Sequence, residues 1–90
     1  MADVVVTLKI MPESVKIDLK KLEKEVLILI KKHGGDVGKV NIENVAFGLK
    51  CINFVFVINE DKGMEELEKS VERVRDVRSV EIVDVRRAIG

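Results

Sequence analysis

Tyrosine, tryptophan and glutamine are all absent from these 90 residues, and cysteine, proline and histidine occur once each. The single cysteine, Cys51, excludes an internal disulfide and a C-x-x-C metal or redox site, and it fits a reducing, cytoplasmic compartment. The single histidine, His33, lacks the partner groups that a catalytic centre requires. No apolar run approaches the roughly 20 residues that span a bilayer. The opening MADVVVTLKIMPES has no basic stretch leading into an apolar one, so no secretory signal and no membrane association are expected. Neither sign of charge is in excess: Lys plus Arg and Asp plus Glu number 16 each. That balance argues against general nucleic-acid binding, which needs cations to displace counterions. The missing glutamine, with abundant Lys, Glu, Val and Ile, is a composition seen in heat-adapted proteins.

What is present is a globular composition, 47% hydrophobic and 36% charged, sized for one domain over residues 1–90. The opening DVVVTLKIM alternates, with Val4, Val6, Leu8 and Ile10 on one face. It reads as a strand that ends at Pro12, which cannot donate to a ladder. Leu19, Leu22, Val26, Leu29 and Ile30 then follow helical spacing. Asp18 is the N-cap, Lys31, Lys32 and His33 fill the last turn, and Gly34-Gly35 is the stop, so a helix is predicted over 18–33. DVGKVNIENVAFGLK reads as a weaker strand and a loop, diluted by Gly38 and Asn41. LKCINFVFVI is apolar on both faces and reads as a central strand. NEDKGMEELEKSVERVRD opens on turn residues and becomes a helix with Met64, Leu67, Val71 and Val74 on one side. VRSVEIVDVRRAIG is β-rich with mixed phase, which predicts a bulge or a two-sided environment near 82–83.

The order β-α-β-β-α-β predicts an α+β, ferredoxin-like α/β plait: a four-stranded antiparallel sheet with two helices on one face. Right-handed crossovers place the first and third strands in the centre. The other sheet face is left without a layer, a natural surface for a partner.

Sites of covalent chemistry are not found. GGDVGK, Gly34 to Lys39, has three residues between its glycines, lacks the Ser/Thr after Lys39 and follows a helix, so it fails as a phosphate loop. His33 is explained as a helix C-terminal cation and Cys51 as a small packed hydrophobe. Ser14, Ser70 and Ser79 have no base constellation. Glu60-Asp61 beside Lys62-Gly63 reads as a turn. No cofactor and no resident metal are expected.

Three phenylalanines, Phe47, Phe54 and Phe56, are the only aromatics. Phe54 and Phe56 share parity with Ile52 and Ile58 and read as core. Phe47 precedes that strand beside Gly48, where strand-end packing and docking are both open readings. The sequence AFGLKCINFVF contains Phe-Gly and Phe-x-Phe but not the spacing of an RNA-recognition strand. A small ferredoxin-like RNA-binding or regulatory domain is therefore kept as the alternative function. The final Arg86-Arg87 pair, taken alone, reads as a solvated end.

Three stretches, in register over the chain, carry a resemblance. DVVVTLKIMPES, VAFGLKCINFVFVINEDKGMEELE and VRSVEIVDVRRAI resemble the opening strand, the Gly/Ala-Phe-Gly-Ile/Leu-Lys loop with its acidic helix start, and the last strand with its basic end in archaeal translation elongation factor 1-beta. They are also similar to the exchange domain of the eukaryotic elongation factor 1-beta and 1-delta subunits. The resemblance implies a guanine-nucleotide exchange factor without covalent chemistry. Its partner would be the GTPase elongation factor 1-alpha, which carries the GDP or GTP and the magnesium. It further implies that Phe47 docks on that partner, with Gly48 freeing the turn. Arg87 stands where the eukaryotic family has a lysine that intrudes on the partner's magnesium site, and Arg86 stands just before it. This is a departure, since arginine is a planar fork and lysine a compact charge. Phe47 and Arg87 are expected at the same end of the sheet, as a two-point contact.

Overall fold

A computed structural model describes residues 2–88. The elements run β1 (Asp3–Pro12), α1 (Leu19–Lys32), β2 (Asp36–Ala46), β3 (Leu49–Asn59), α2 (Met64–Glu72) and β4 (Val77–Arg87). The strands form one antiparallel sheet in the order β2-β3-β1-β4. This is the ferredoxin-like plait, with the two apolar strands in its centre.

Parity decides what each strand buries, because directly opposed residues of a ladder share a face. Val6, Leu8 and Ile10 of β1 lie opposite Phe56, Phe54 and Ile52 of β3. All six are buried, and together with Leu22, Val26 and Ile30 of α1 and Leu67 and Val71 of α2 they form the core. Asp18 caps α1, its carboxylate accepting from the backbone N–H groups of Lys20 and Lys21. At the other end, the Gly34 and Gly35 N–H groups donate to the Lys31 and Ile30 carbonyls, which satisfies carbonyls a helix end leaves open.

Gly35 is required there for space. A Cβ on it would stand 2.5 Å from Ile30 Cγ2 and 3.1 Å from Phe56 Cδ2. Gly35→Ala is expected to cost about 1–3 kcal/mol through overpacking. The check is a lowered denaturant midpoint with an unchanged slope, which marks lost stability without a change in surface exposed.

The segment read as a weaker strand and a loop is instead a full strand of 11 residues. Register shifts at Gly38 and Val45 break its alternation. Most of its length faces no helix, so polar residues sit where a core strand would carry apolar ones. The bulge expected near 82–83 is present. Leu8 pairs with Ile82 and Thr7 with Asp84, which leaves Val83 as the extra residue.

The face away from the helices carries Val5, Thr7, Val55 and Val57, all half-buried, on the two central strands. Cys51 and Asn53 also lie on that side and are nonetheless buried. Glu43 sits opposite Cys51 on β2, and its carboxylate accepts from Asn53 Nδ2. That hydrogen bond runs the Glu43 side chain along the sheet beside Cys51.

Candidate functional site

Ala46 pairs with Leu49, so Phe47 and Gly48 alone make the turn between β2 and β3. Their φ values are +52° and +79°. Positive φ at both central positions is the pattern of a type I′ turn, whose twist matches that of the strands it joins. Glycine adopts it freely. A phenylalanine there is strained, by about 1–3 kcal/mol, and asparagine is the residue such turns prefer. The strain is not offset by packing, because Phe47 is 103% exposed. Strand-end packing therefore no longer explains it. Ile42 and Val45 on β2 and Val15 on the β1–α1 connection are the other large exposed apolar side chains toward this end.

Beside the turn, on the helix side of the sheet, is a cleft of about 230 Å³. Its walls come from residues 12–19, with Gly48 and Lys50 closing it from the hairpin. Sequence reasoning missed this feature. The available signal was the pairing of Pro12 and Ser14 with a cap at Asp18, which compresses the β1–α1 connection into a tight turn.

The arginines occupy the other end of the sheet. Arg87 pairs with Val4 and Arg86 with Val5. Val4 belongs to the helix-covered face and Val5 to the open one, so the two guanidinium groups leave opposite faces. Arg86 Nε binds Asp84 Oδ2 at 2.8 Å, with side chains 78% and 42% exposed. A pair so exposed contributes at most about 1 kcal/mol, but it occupies Arg86. Arg87 has no carboxylate within ion-pair distance among the described residues.

The expectation that Phe47 and Arg87 share an end of the sheet is therefore corrected. Arg87 is level with Val4 and Ile58, and Ile58 lies nine residues along β3 from Leu49. At strand rise that is about 30 Å, within a molecule 41 Å long. The reason is topological. β3 and β4 both run antiparallel to β1, so the start of one and the end of the other fall at opposite ends.

The remaining candidates are structural. His33 Nδ1 is 2.9 Å from the Leu29 carbonyl oxygen at the end of α1. Ser14 Oγ accepts from Lys16 N, and Ser70 Oγ donates to the Glu66 carbonyl. Asn59 Oδ1 accepts from Asp61 N in the turn before α2. Phe54 and Phe56 are buried under the helices. No aromatic is therefore left on the open face among the described residues, where RNA bases would need one to stack.

Over this geometry, the profile of the EF-1 guanine nucleotide exchange domain matches residues 5–88. The chain belongs to the EF-1 guanine nucleotide exchange domain family. Among curated relatives of this EF-1 family, elongation factor 1-beta of Methanothermobacter thermautotrophicus is 40% identical over 88 residues, covering 97% of this chain and 98% of its own. Elongation factor 1-beta of Staphylothermus marinus is 37% identical over 89 residues, with 97% and 98% covered.

Solved structures show the fold alone. The ACT domain from GTP pyrophosphokinase of Chlorobium tepidum superposes with a TM-score of 0.64 at 20% identity, covering 90% of this chain and 99% of that one. The C-terminal domain of the MgtC protein from Mycobacterium tuberculosis gives 0.67 at 6% identity, with 97% and 88% covered. As an EF-1 exchange domain, the chain has a role in nucleotide exchange during translation elongation, on an elongation GTPase. No helix among the described residues is long and apolar enough to cross a membrane.

Proposed function

We infer that the chain acts as one guanine-nucleotide-exchange domain that promotes replacement of GDP by GTP on elongation factor 1-alpha, in the cytoplasm and without covalent chemistry. The nucleotide and its magnesium belong to the partner. The observation that carries the reading is the placement of two exposed groups, the strained Phe47 and the unpaired Arg87, at opposite ends of one continuous sheet.

An exchange factor binds the empty GTPase more tightly than the loaded one, and by linkage it lowers nucleotide affinity by the same factor. A factor of about 10³ needs about 4 kcal/mol of differential contact. The magnesium and phosphate region is where that contact is most effective, since the ion is a large part of the local charge holding GDP. Arg87 suits that end. It carries a fixed positive charge on an exposed side chain that no carboxylate of its own sheet neutralises, and a cation there competes with the metal. Phe47 suits the other end as an apolar anchor, of the kind that dominates binding energy when buried at an interface. The sheet between them fixes the distance, so the partner must meet both at once.

Release of fluorescent GDP from elongation factor 1-alpha tests the reading. Micromolar amounts of this protein are expected to accelerate release by at least a hundredfold over the spontaneous rate. An unchanged rate would sink the proposal.

A further inference from the structure

The cleft beside the hairpin is small, about 230 Å³. Small-molecule sites are typically roughly 300–1,000 Å³, so a nucleotide does not fit. A protein side chain does. Pro12, Val15, Ile17 and Leu19 give it apolar walls. Two polar groups complete the lining, Ser14 and Lys50. Ser14 Oγ already accepts a hydrogen bond from Lys16 N, which leaves its own O–H as a donor. Lys50 offers only donors and is exposed, with no carboxylate in ion-pair range among the described residues. The carboxylate next along the chain, Asp18, is turned into the α1 backbone as its cap. The cleft therefore presents apolar walls and a wholly donating, positively charged rim. It adjoins Phe47 through Gly48, so whatever covers Phe47 also reaches the cleft.

We propose that this cleft is a second docking subsite for the partner GTPase, receiving an aliphatic side chain with an adjacent carboxylate that meets Lys50 and the Ser14 hydroxyl. This rests on the exchange-factor reading and adds to it the chemistry of the surface met at the Phe47 end. The occupant is an apolar–acidic segment of folded protein. The single aromatic at the tip and the cation inside the cleft then recognise different features of one surface.

The test measures affinity for nucleotide-free elongation factor 1-alpha at two salt concentrations. It compares wild type, Lys50→Glu, Lys50→Met and Val15→Trp, with a melting curve for each. Lys50 and Val15 are exposed, so all four proteins are expected to melt alike. Lys50→Glu is expected to weaken binding by tenfold or more, because it sets one carboxylate against another. Lys50→Met should weaken it about threefold and flatten its salt dependence. Val15→Trp, which fills the cleft, should weaken it about tenfold with the salt dependence intact. If wild type binds and the three variants bind equally well, the cleft is no subsite and the exchange reading stands. If wild type itself neither binds nor accelerates GDP release, the reading fails and the subsite fails with it.

Discussion

Replacing Arg87 by alanine is expected to reduce accelerated GDP release by about a hundredfold, while affinity for the empty GTPase falls by less than tenfold. The asymmetry follows from where the charge acts. A cation that competes with the partner's magnesium contributes to the state in which the ion is leaving. Its removal therefore lowers the rate more than it lowers binding. A hundredfold is about 2.7 kcal/mol, within the range measured when one member of a close interfacial charge pair is removed. Arg87→Lys makes the result specific to charge, since lysine carries the same sign on a more compact head. It should restore most of the rate. Arg86→Ala is the internal control: Arg86 leaves the open face and is held by Asp84, so exchange should stay within threefold of wild type. Equal rates for Arg87→Ala and wild type would show that the cation assignment is wrong.

Phe47 carries the second large effect, and it has two signs. Phe47→Asn is expected to raise the stability of the free protein by about 1 kcal/mol, because asparagine accepts the left-handed backbone that phenylalanine occupies under strain. The side chain lost was fully exposed, so no packing is given up. The same substitution should weaken binding to the GTPase by about thirtyfold or more, the scale of an aromatic anchor of at least 2 kcal/mol. Exchange should fall in parallel, unlike the split seen for Arg87. A melting curve and a binding titration on one sample read both signs. A stabilised variant that binds normally would show that Phe47 is a strained bystander. Phe47→Ala should lose binding alike with little gain in stability.

The core of this fold is open to sequence reasoning because burial and periodicity coincide in β1, α1 and β3. Val6, Leu8 and Ile10 alternate because one face meets helices, and Leu22, Val26 and Ile30 recur at helical spacing for the same reason. β2 escapes such reasoning. It is an edge strand with two bulges, and its stability comes from the ladder it shares with β3, which leaves no hydropathy signature. The turn conformation was hidden by its own strain, since Phe-Gly does not advertise a type I′ turn as Asn-Gly does. Gly48 was the visible half of the signal. The ends of the sheet to which Phe47 and Arg87 belong required no side-chain information at all. Strand direction alone assigns them, once the element order is known. The cleft at Lys50 is different in kind: it forms between segments about thirty positions apart in the chain, and no local pattern marks it.

The extra residue in β4 has a consequence for how this chain tolerates change. Val83 is unpaired and exposed, so most substitutions there should pass unnoticed. Its presence, however, sets the phase of everything after it. Without it, the two arginines would exchange faces, and the free cation would be delivered to the side of the sheet where its neighbour now sits. The information at position 83 thus lies in the count of residues and not in the identity of one. A mutational scan by substitution would score the position as silent, while a single deletion there would act as a reading-frame error written in three dimensions.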